Sequence, residues 1–395
     1  MALFESYERR IDQINAVLNS YGISSIEEAE KITKDAGLDV YDQVKKIQPI
    51  CFENACWAYT VGAAIAIKKG CRRAADAAAA NDPAVELIFT SVSVSGDSHT
   101  EAMYEFADKV EELSGGSVTC KCYDNGSLFS SENEFDALLN GDADLAYISF
   151  PTIATQIPSY SMFASGYLFS SYEHMTSVLN GDIGLNKIRP QIEETLNIKP
   201  LSSFYLGSRV INTREKEINS YDDMNGLLLR MPNSEAWLFL GEALGANPTP
   251  LSFSELYTAL QTGAVDAQDN PLPSIESAKF YEVTKYIAIT NHVVDSIMPC
   301  INGDTWNSMT EAQQEAVTEA MEYARDVNDT ARLDREAELI KFFEEKGLTV
   351  TYPDINEFKE KVQAKYMENE DMIKDWDMDL YNEIQAMADT TTAEE

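Results

Sequence analysis

The sequence predicts an α/β protein of two lobes, joined by strands that pass between them and by one long helix reaching across both, with a small helical module in front. Three observations carry this expectation. Strand-like and amphipathic helical runs alternate from Pro83 onward, no Pro or Gly interrupts the chain between Thr310 and Gly347, and the charge balance changes abruptly near residue 80. At 395 residues with 44% hydrophobic content the chain exceeds what one core supports, so more than one domain is expected.

Charge locates the first boundary. Residues 1–80 hold 10 basic and 11 acidic side chains, whereas the rest holds 20 basic against 55 acidic, and the break falls in the Ala-rich run Ala74 to Ala80. The net charge of −36 excludes a general affinity for nucleic acid or anionic lipid. Residues 1–80 read as a helical N-terminal module of fused origin, from the spacing of Ile11, Ile14 and Leu18 and from Ser24 or Ser25 ahead of Glu27 and Glu28. No secretory signal pattern opens the chain: the apolar run Ala55 to Ile67 comes late, is too short to span a bilayer and precedes its basic cluster. As written, the chain is expected to remain cytoplasmic.

After a junction at 81–83, Val85 to Val94 reads as a buried strand and Ser98 to Glu101 as a capping box opening a helix with Met103, Phe106, Val110 and Leu113 on one face. Ser117 to Tyr123 then reads as a strand, Ser131 to Leu139 as a helix stopped by Gly141, and Ala143 to Phe150 as a strand. This alternation implies mainly parallel sheets, with ligands gathered beyond the carboxyl ends of strands, so Ser93–Asp97 and Ser149–Thr152 are candidate pocket walls. Thr310 to Gln313 caps a helix of about 35 residues, roughly 50 Å long. Tyr286 to Val294 reads as a strand crossing between lobes near His292. Lobe I is assigned residues 84–206 and 296–335, lobe II residues 207–295 and 336–388, and 389–395 a disordered tail.

Residues for catalysis are not found. The chain has no GxSxG, HExxH, phosphate-loop or dinucleotide pattern, and His99, His174 and His292 stand far apart without a nucleophile. Six cysteines lack zinc spacing, and Cys120 and Cys122 read as packing thiols on one strand face. No enzyme activity, metal or cofactor is expected.

Basic residues are more informative because they are scarce. Between Leu201 and Pro299 there are six, and Arg230 lies in the apolar run Gly226 to Pro232. A buried Arg needs a partner: either an internal carboxylate, or a ligand carboxylate accepting two parallel bonds from the guanidinium fork. Arg209, in Tyr205 to Arg209, is a second candidate whose alternative is an ion pair.

Gly226 to Pro232, Ala243 to Pro250, Phe253 to Pro271, and Lys279 to His292 resemble the solute-binding subunit of tripartite ATP-independent periplasmic (TRAP) transporters, a DctP-type family, over residues 84–388. The resemblance implies a two-lobed periplasmic-binding-protein fold, type II-like, in which Arg230 pairs with a substrate carboxylate and Arg209, Phe253 and Asn270 contact the ligand. Sialic-acid-binding members place an acidic and a basic contact where this chain has Ser149 and Thr152, so small mono- or dicarboxylates are expected rather than a large polyhydroxylated acid. The implied partners are that ligand and the membrane subunits of a TRAP permease. Residues 1–80 resemble the start of a bacterial family named for a GGGtGRT motif that this chain lacks, and are a candidate self-association or signalling contact.

Overall fold

The structure is a computed structural model and describes residues 82–391; the chain divides between Pro83 and Ala84, and the unit beginning at Ala84 is described here. The helical module and self-association contact expected for residues 1–80 lie outside the described residues.

The chain opens with strand β1 (Val85–Thr90), helix α1 (Ser98–Leu113), β2 (Val118–Tyr123), α2 (Glu134–Asn140), β3 (Leu145–Ile148) and the short α3 (Phe150–Ile153). Helices α4 (Tyr172–Leu179) and α5 (Arg189–Leu196) lead to β4 (Ile198–Pro200) and the long β5 (Phe204–Thr213). Then come β6 (Leu228–Met231), α6 (Glu235–Ala243), β7 (Asn247–Pro250), α7 (Phe253–Thr262), β8 (Ala267–Pro271) and α8 (Leu272–Ser277). The 17-residue β9 (Tyr286–Asn302) is followed by α9 (Gly303–Ser308) and the 35-residue α10 (Glu311–Glu345), then β10 (Thr349–Thr351), α11 (Ile355–Glu368), α12 (Glu370–Ile373) and α13 (Met378–Thr391).

The strands line up as β2-β1-β3-β9-β5-β8-β6-β7, with β4 and β10 also paired to β9. This gives the two-lobed α/β architecture its geometry: β9 pairs with β3 through Met298 to Ile301 and with β10 through Tyr286 to Ala288, so one continuous strand serves both sheets. The expectation of mainly parallel sheets holds only in part. Pairs β1–β2, β1–β3, β6–β7, β6–β8 and β9–β10 are parallel, whereas β5 runs antiparallel to β8 and β9, and β9 antiparallel to β3 and β4. Strands that leave one lobe and return from the other meet head to tail.

The largest core cluster joins residues of both lobes, among them Ile148, Phe150, Ile211, Leu229 and Val293, and two further clusters pack on α10. Phe89, Phe106, Val110, Tyr147 and Phe204 pack against Val317 and Met321 of α10, while Val210, Leu260, Phe280 and Ile287 pack against Leu339 and Phe343 of the same helix. The helix thus touches both, as its uninterrupted sequence predicts. Its start is a capping box in which the Thr310 side chain accepts from Gln313 N and Gln313 reaches back. Midway, its acidic and basic side chains hold β5: Tyr205 N donates to Asp329 Oδ1 at 2.8 Å, Ser208 N to Glu336 Oε1 at 3.2 Å, and Arg332 Nη1 to Leu206 O at 2.7 Å.

Several local expectations shift. Strand β1 ends at Thr90, four residues early, because Ser93 N turns back to the Ser91 hydroxyl and the chain leaves the sheet to form a wall. The cap of α1 is Asp97, whose carboxylate accepts from His99 N, rather than Ser98; Glu101 instead takes Gly96 N. Helix α2 begins at Glu134, after a turn in which Ser130 O accepts from Asn133 N and Glu134 N, and stops as predicted at Gly141 with φ 78°. Strand β9 continues from Val294 to Asn302. Cys120 and Cys122 are free, half-buried thiols against the first core. Helix α13 runs past Ala388 into the segment expected as a tail.

Candidate ligand-binding site

Loops at the carboxyl ends of β1 and β3, the start of α2, and residues of β5, β6, β8 and β9 surround one cavity of about 340 Å³, within the range of small-molecule sites. All six residues singled out in the sequence line it: Arg230, Arg209, Asn270, Phe253, Ser149 and Thr152.

The two arginines differ in kind. Arg209 Nε donates to Asp295 Oδ2 at 2.8 Å, and Nη1 to the carbonyl and carboxylate of Asp269 at 2.5 and 3.1 Å. Its carbon Cζ sits 4.4 Å from the centre of the Trp237 ring. Burial alone lowers the Arg209 pKa, but Asp269 and Asp295 outweigh it and the net direction is upward. The ion-pair alternative therefore describes this residue, although it also faces the cavity.

Arg230 is 3% exposed on β6, where the apolar run Leu227 to Met231 pulls it into the sheet. Its Nε donates to Leu251 O at 2.8 Å, and among the described residues no carboxylate forms an ion pair with it. Burial pushes its guanidinium down to about 10, Asp269 opposing this and Arg209 adding to it. A buried cation so placed is stabilised by an anion arriving from the cavity.

The remaining predicted residues supply shape and hydrogen bonds. Asn270 Nδ2 donates to Gln268 Oε1, and Gln268 Nε2 donates to Asn212 Oδ1 at 3.1 Å, a buried amide relay beneath the cavity floor. Phe253 lines the cavity and also meets Phe280 edge-on at 5.7 Å. Ser149 and Thr152 hydroxyls lie 2.9 Å apart on the opposite wall. The loop Ser93 to Asp97 contributes Ser93, Val94 and Asp97, as its position after β1 predicts.

Sequence reasoning missed Glu134, Trp237 and the Asp97–Arg332 contact. Asp97 Oδ1 pairs with Arg332 Nη2, which also lies 2.7 Å from His99 Nδ1, while Asp97 Oδ2 accepts from the Ser277 hydroxyl at 2.8 Å. Glu134 had a signal: it lies four residues before Leu138, on the face of α2 that packs inward. His292 bonds Thr290 Oγ1 at 2.8 Å and stands 3.4 Å from Asp269, and His174 holds Ser170 and Ile384 O. Among the described residues no His, Cys, Asp or Glu group is arranged to hold a metal ion, and no helix is long and apolar enough to cross a membrane.

The model of the bacterial extracellular solute-binding protein family 7 matches residues 89–371. The chain belongs to this family. A second model, of GGGtGRT protein, matches residues 4–100, so its match runs past Ala80 into β1 and the loop that follows. Among relatives of this family-7 protein, the sialic acid-binding periplasmic protein SiaP of Vibrio cholerae is 34% identical, over 66% of this chain and 81% of its own length. The C4-dicarboxylate-binding protein DctB of Bacillus subtilis is 28% identical, over 58% and 65%. A TRAP periplasmic solute-binding protein of Roseobacter denitrificans, solved with 3-deoxy-D-manno-oct-2-ulosonic acid, shares 37% identity and superposes with a TM-score of 0.73, covering 77% of this chain and 99% of that one. Another, of a Polaromonas species with D-erythronate bound, gives 25% identity and 0.71, covering 76% and 98%. The chain is thus a TRAP-type solute-binding protein of a periplasmic family, among relatives that bind acids and transport solutes.

Proposed function

We propose that this protein binds a small organic acid in the cavity between its lobes and, on closing around it, delivers it to a TRAP-type membrane permease. Lobe I comprises residues 84–206 and 296–335, lobe II residues 207–295 and 336–388, and they close about β5 and β9. One observation carries the reading: Arg230 is buried, faces the cavity and has no carboxylate ion-pair partner among the described residues. Its two terminal nitrogens match a ligand carboxylate in bidentate geometry.

The other residues take roles consistent with their surroundings. Arg209, already neutralised by two aspartates, contributes direction through its remaining N–H bonds rather than net charge. Asn270, with Nδ2 committed to Gln268, offers Oδ1 to a ligand donor. Phe253 and Trp237 cover apolar ligand surface, and Ser149 and Thr152 meet polar groups. The acids bound in related structures, among them D-erythronate, L-galactonate and β-D-glucuronate, fit a site with one unpaired buried cation and several hydroxyl partners. A ligand that prefers the closed form drives closure by that difference in affinity.

A thermal-shift screen of organic acids tests the reading. Acids that bind raise the melting temperature of the wild type, and Arg230→Ala abolishes that rise; full stabilisation of Arg230→Ala by the same acid sinks the assignment.

A further inference from the structure

Glu134 opens α2, is 5% exposed and lines the same cavity as Arg230. Its Oε1 and the neighbouring Thr90 Oγ1 make no close hydrogen bond to any other group, and the Thr90 hydroxyl is the one donor that bears on the carboxyl. A buried carboxyl oxygen without a partner is costly, and buried acids are normally paired. Among the described residues no arginine or lysine forms an ion pair with Glu134: Arg230 and Arg209 are the arginines lining the cavity, and Arg209 is paired with Asp269 and Asp295. The titratable groups around the cavity are otherwise acidic, or His99 and Tyr147, with Glu132 exposed on the turn before Glu134 and Asp136 exposed in the first turn of α2. Burial pushes the Glu134 carboxyl well above the usual range, with Thr90 opposing it. The same cavity is also lined by Ser93, Ser149 and Thr152.

We propose that Glu134 is a specificity-determining residue, hydrogen-bonding a hydroxyl of the ligand whose carboxylate Arg230 holds, so that the site prefers hydroxylated monocarboxylates to their dicarboxylate counterparts. This rests on the reading that Arg230 anchors the carboxylate. A neutral carboxyl both donates and accepts, which suits a hydroxyl. A second ligand carboxylate, by contrast, enters a wall with no free cation, so its desolvation is uncompensated.

The test is calorimetric titration of the full chain at neutral pH with two matched pairs: erythronate against meso-tartrate, and galactonate against galactarate. Within each pair a terminal CH₂OH of the first is a carboxylate in the second. The wild type is expected to bind at least one hydroxy monocarboxylate at least about tenfold more tightly than its partner. Glu134→Leu, which deletes the hydrogen bond, is expected to weaken that monocarboxylate about tenfold and collapse the preference to within about threefold. Glu134→Gln keeps donor and acceptor, so it retains monocarboxylate binding within a few-fold, and it serves as the readout if the leucine variant does not fold. An unchanged preference in Glu134→Leu, tighter binding of the dicarboxylates by the wild type, or binding of none of the four overturns the proposal. Arg230→Ala separates the two readings: if it binds like the wild type the anchor is wrong, whereas if it loses binding while Glu134→Leu is unaffected only the role of Glu134 fails.

Discussion

Arg209 and Arg230 lie on strands separated only by β8, yet Arg209 Nε is 2.8 Å from Asp295 and Arg230 has no such partner. The sheet carries one neutralised and one free guanidinium facing the same cavity. Removing a carboxylate from the first or the fork from the second therefore has different consequences.

Loss of Asp269 leaves Arg209 with one of its two buried carboxylate partners and removes the carboxylate beside His292. Asp269→Asn is expected to lower stability by about 3 kcal/mol, read by urea unfolding. Burial raises the Asp269 pKa, but Arg209 and His292 outweigh it and the net shift is downward. The stability it contributes is present above the ordinary aspartate range and is lost as pH falls through it, so the difference between wild type and variant narrows in acid.

Arg230→Lys keeps the charge but loses the fork. Acid binding is expected to weaken roughly tenfold to a hundredfold, measured by calorimetry, with unliganded stability unchanged.

Arg332 is fully buried in α10 and pairs with Asp97. Arg332→Met is expected to cost about 3–5 kcal/mol near neutral pH, because Asp97 is then buried without its cation. Burial raises the Asp97 pKa, and Arg332 with His99 more than offsets it, holding the carboxyl well below its usual range. That contribution fades as pH falls, so chemical unfolding at a series of pH values should show the two proteins converging in acid.

Glu134 behaves in the opposite sense. Burial raises its pKa, so the folded protein holds that proton more tightly than the unfolded chain does. Its stability contribution is full below the ordinary glutamate range and declines as pH rises through the folded value. Glu134→Leu is expected to gain about 1 kcal/mol in unliganded stability near neutral pH, a gain that shrinks in acid, as thermal melts across pH would show.

Gly207 has φ 120°, and a Cβ there would stand 2.5 Å from Pro271 Cβ and 2.7 Å from Glu336 Oε1. Gly207→Ala is expected to destabilise by about 1–3 kcal/mol, read as a lower melting temperature.

Much of this was legible beforehand for physical reasons. An uninterrupted run from Thr310 predicts α10 almost to the residue, because propensity and a capping box act locally. Arg230 stood out because a cation in an apolar strand is rare. The antiparallel crossing of β5 and β9 was not legible, since pairing direction depends on partners distant in sequence. Glu134 shares helical spacing with Leu138 but was outweighed by a competing expectation: a glutamate at the start of a helix is ordinarily an exposed favourable charge, and only the packing of α2 against β3 and β9 buries this one.

The pairing of β5 with β9 loses register twice, between Tyr205 and Gly207 and between Arg209 and Ile211. Those two irregularities form a crease, and a creased plate turns least at the fold and most at its rim. Arg209 stands on the crease and Arg230 two strands out from it. On the closure proposed above, the cation already satisfied would be the near-stationary one, and the cation in want of an anion the one carried toward the opposite wall.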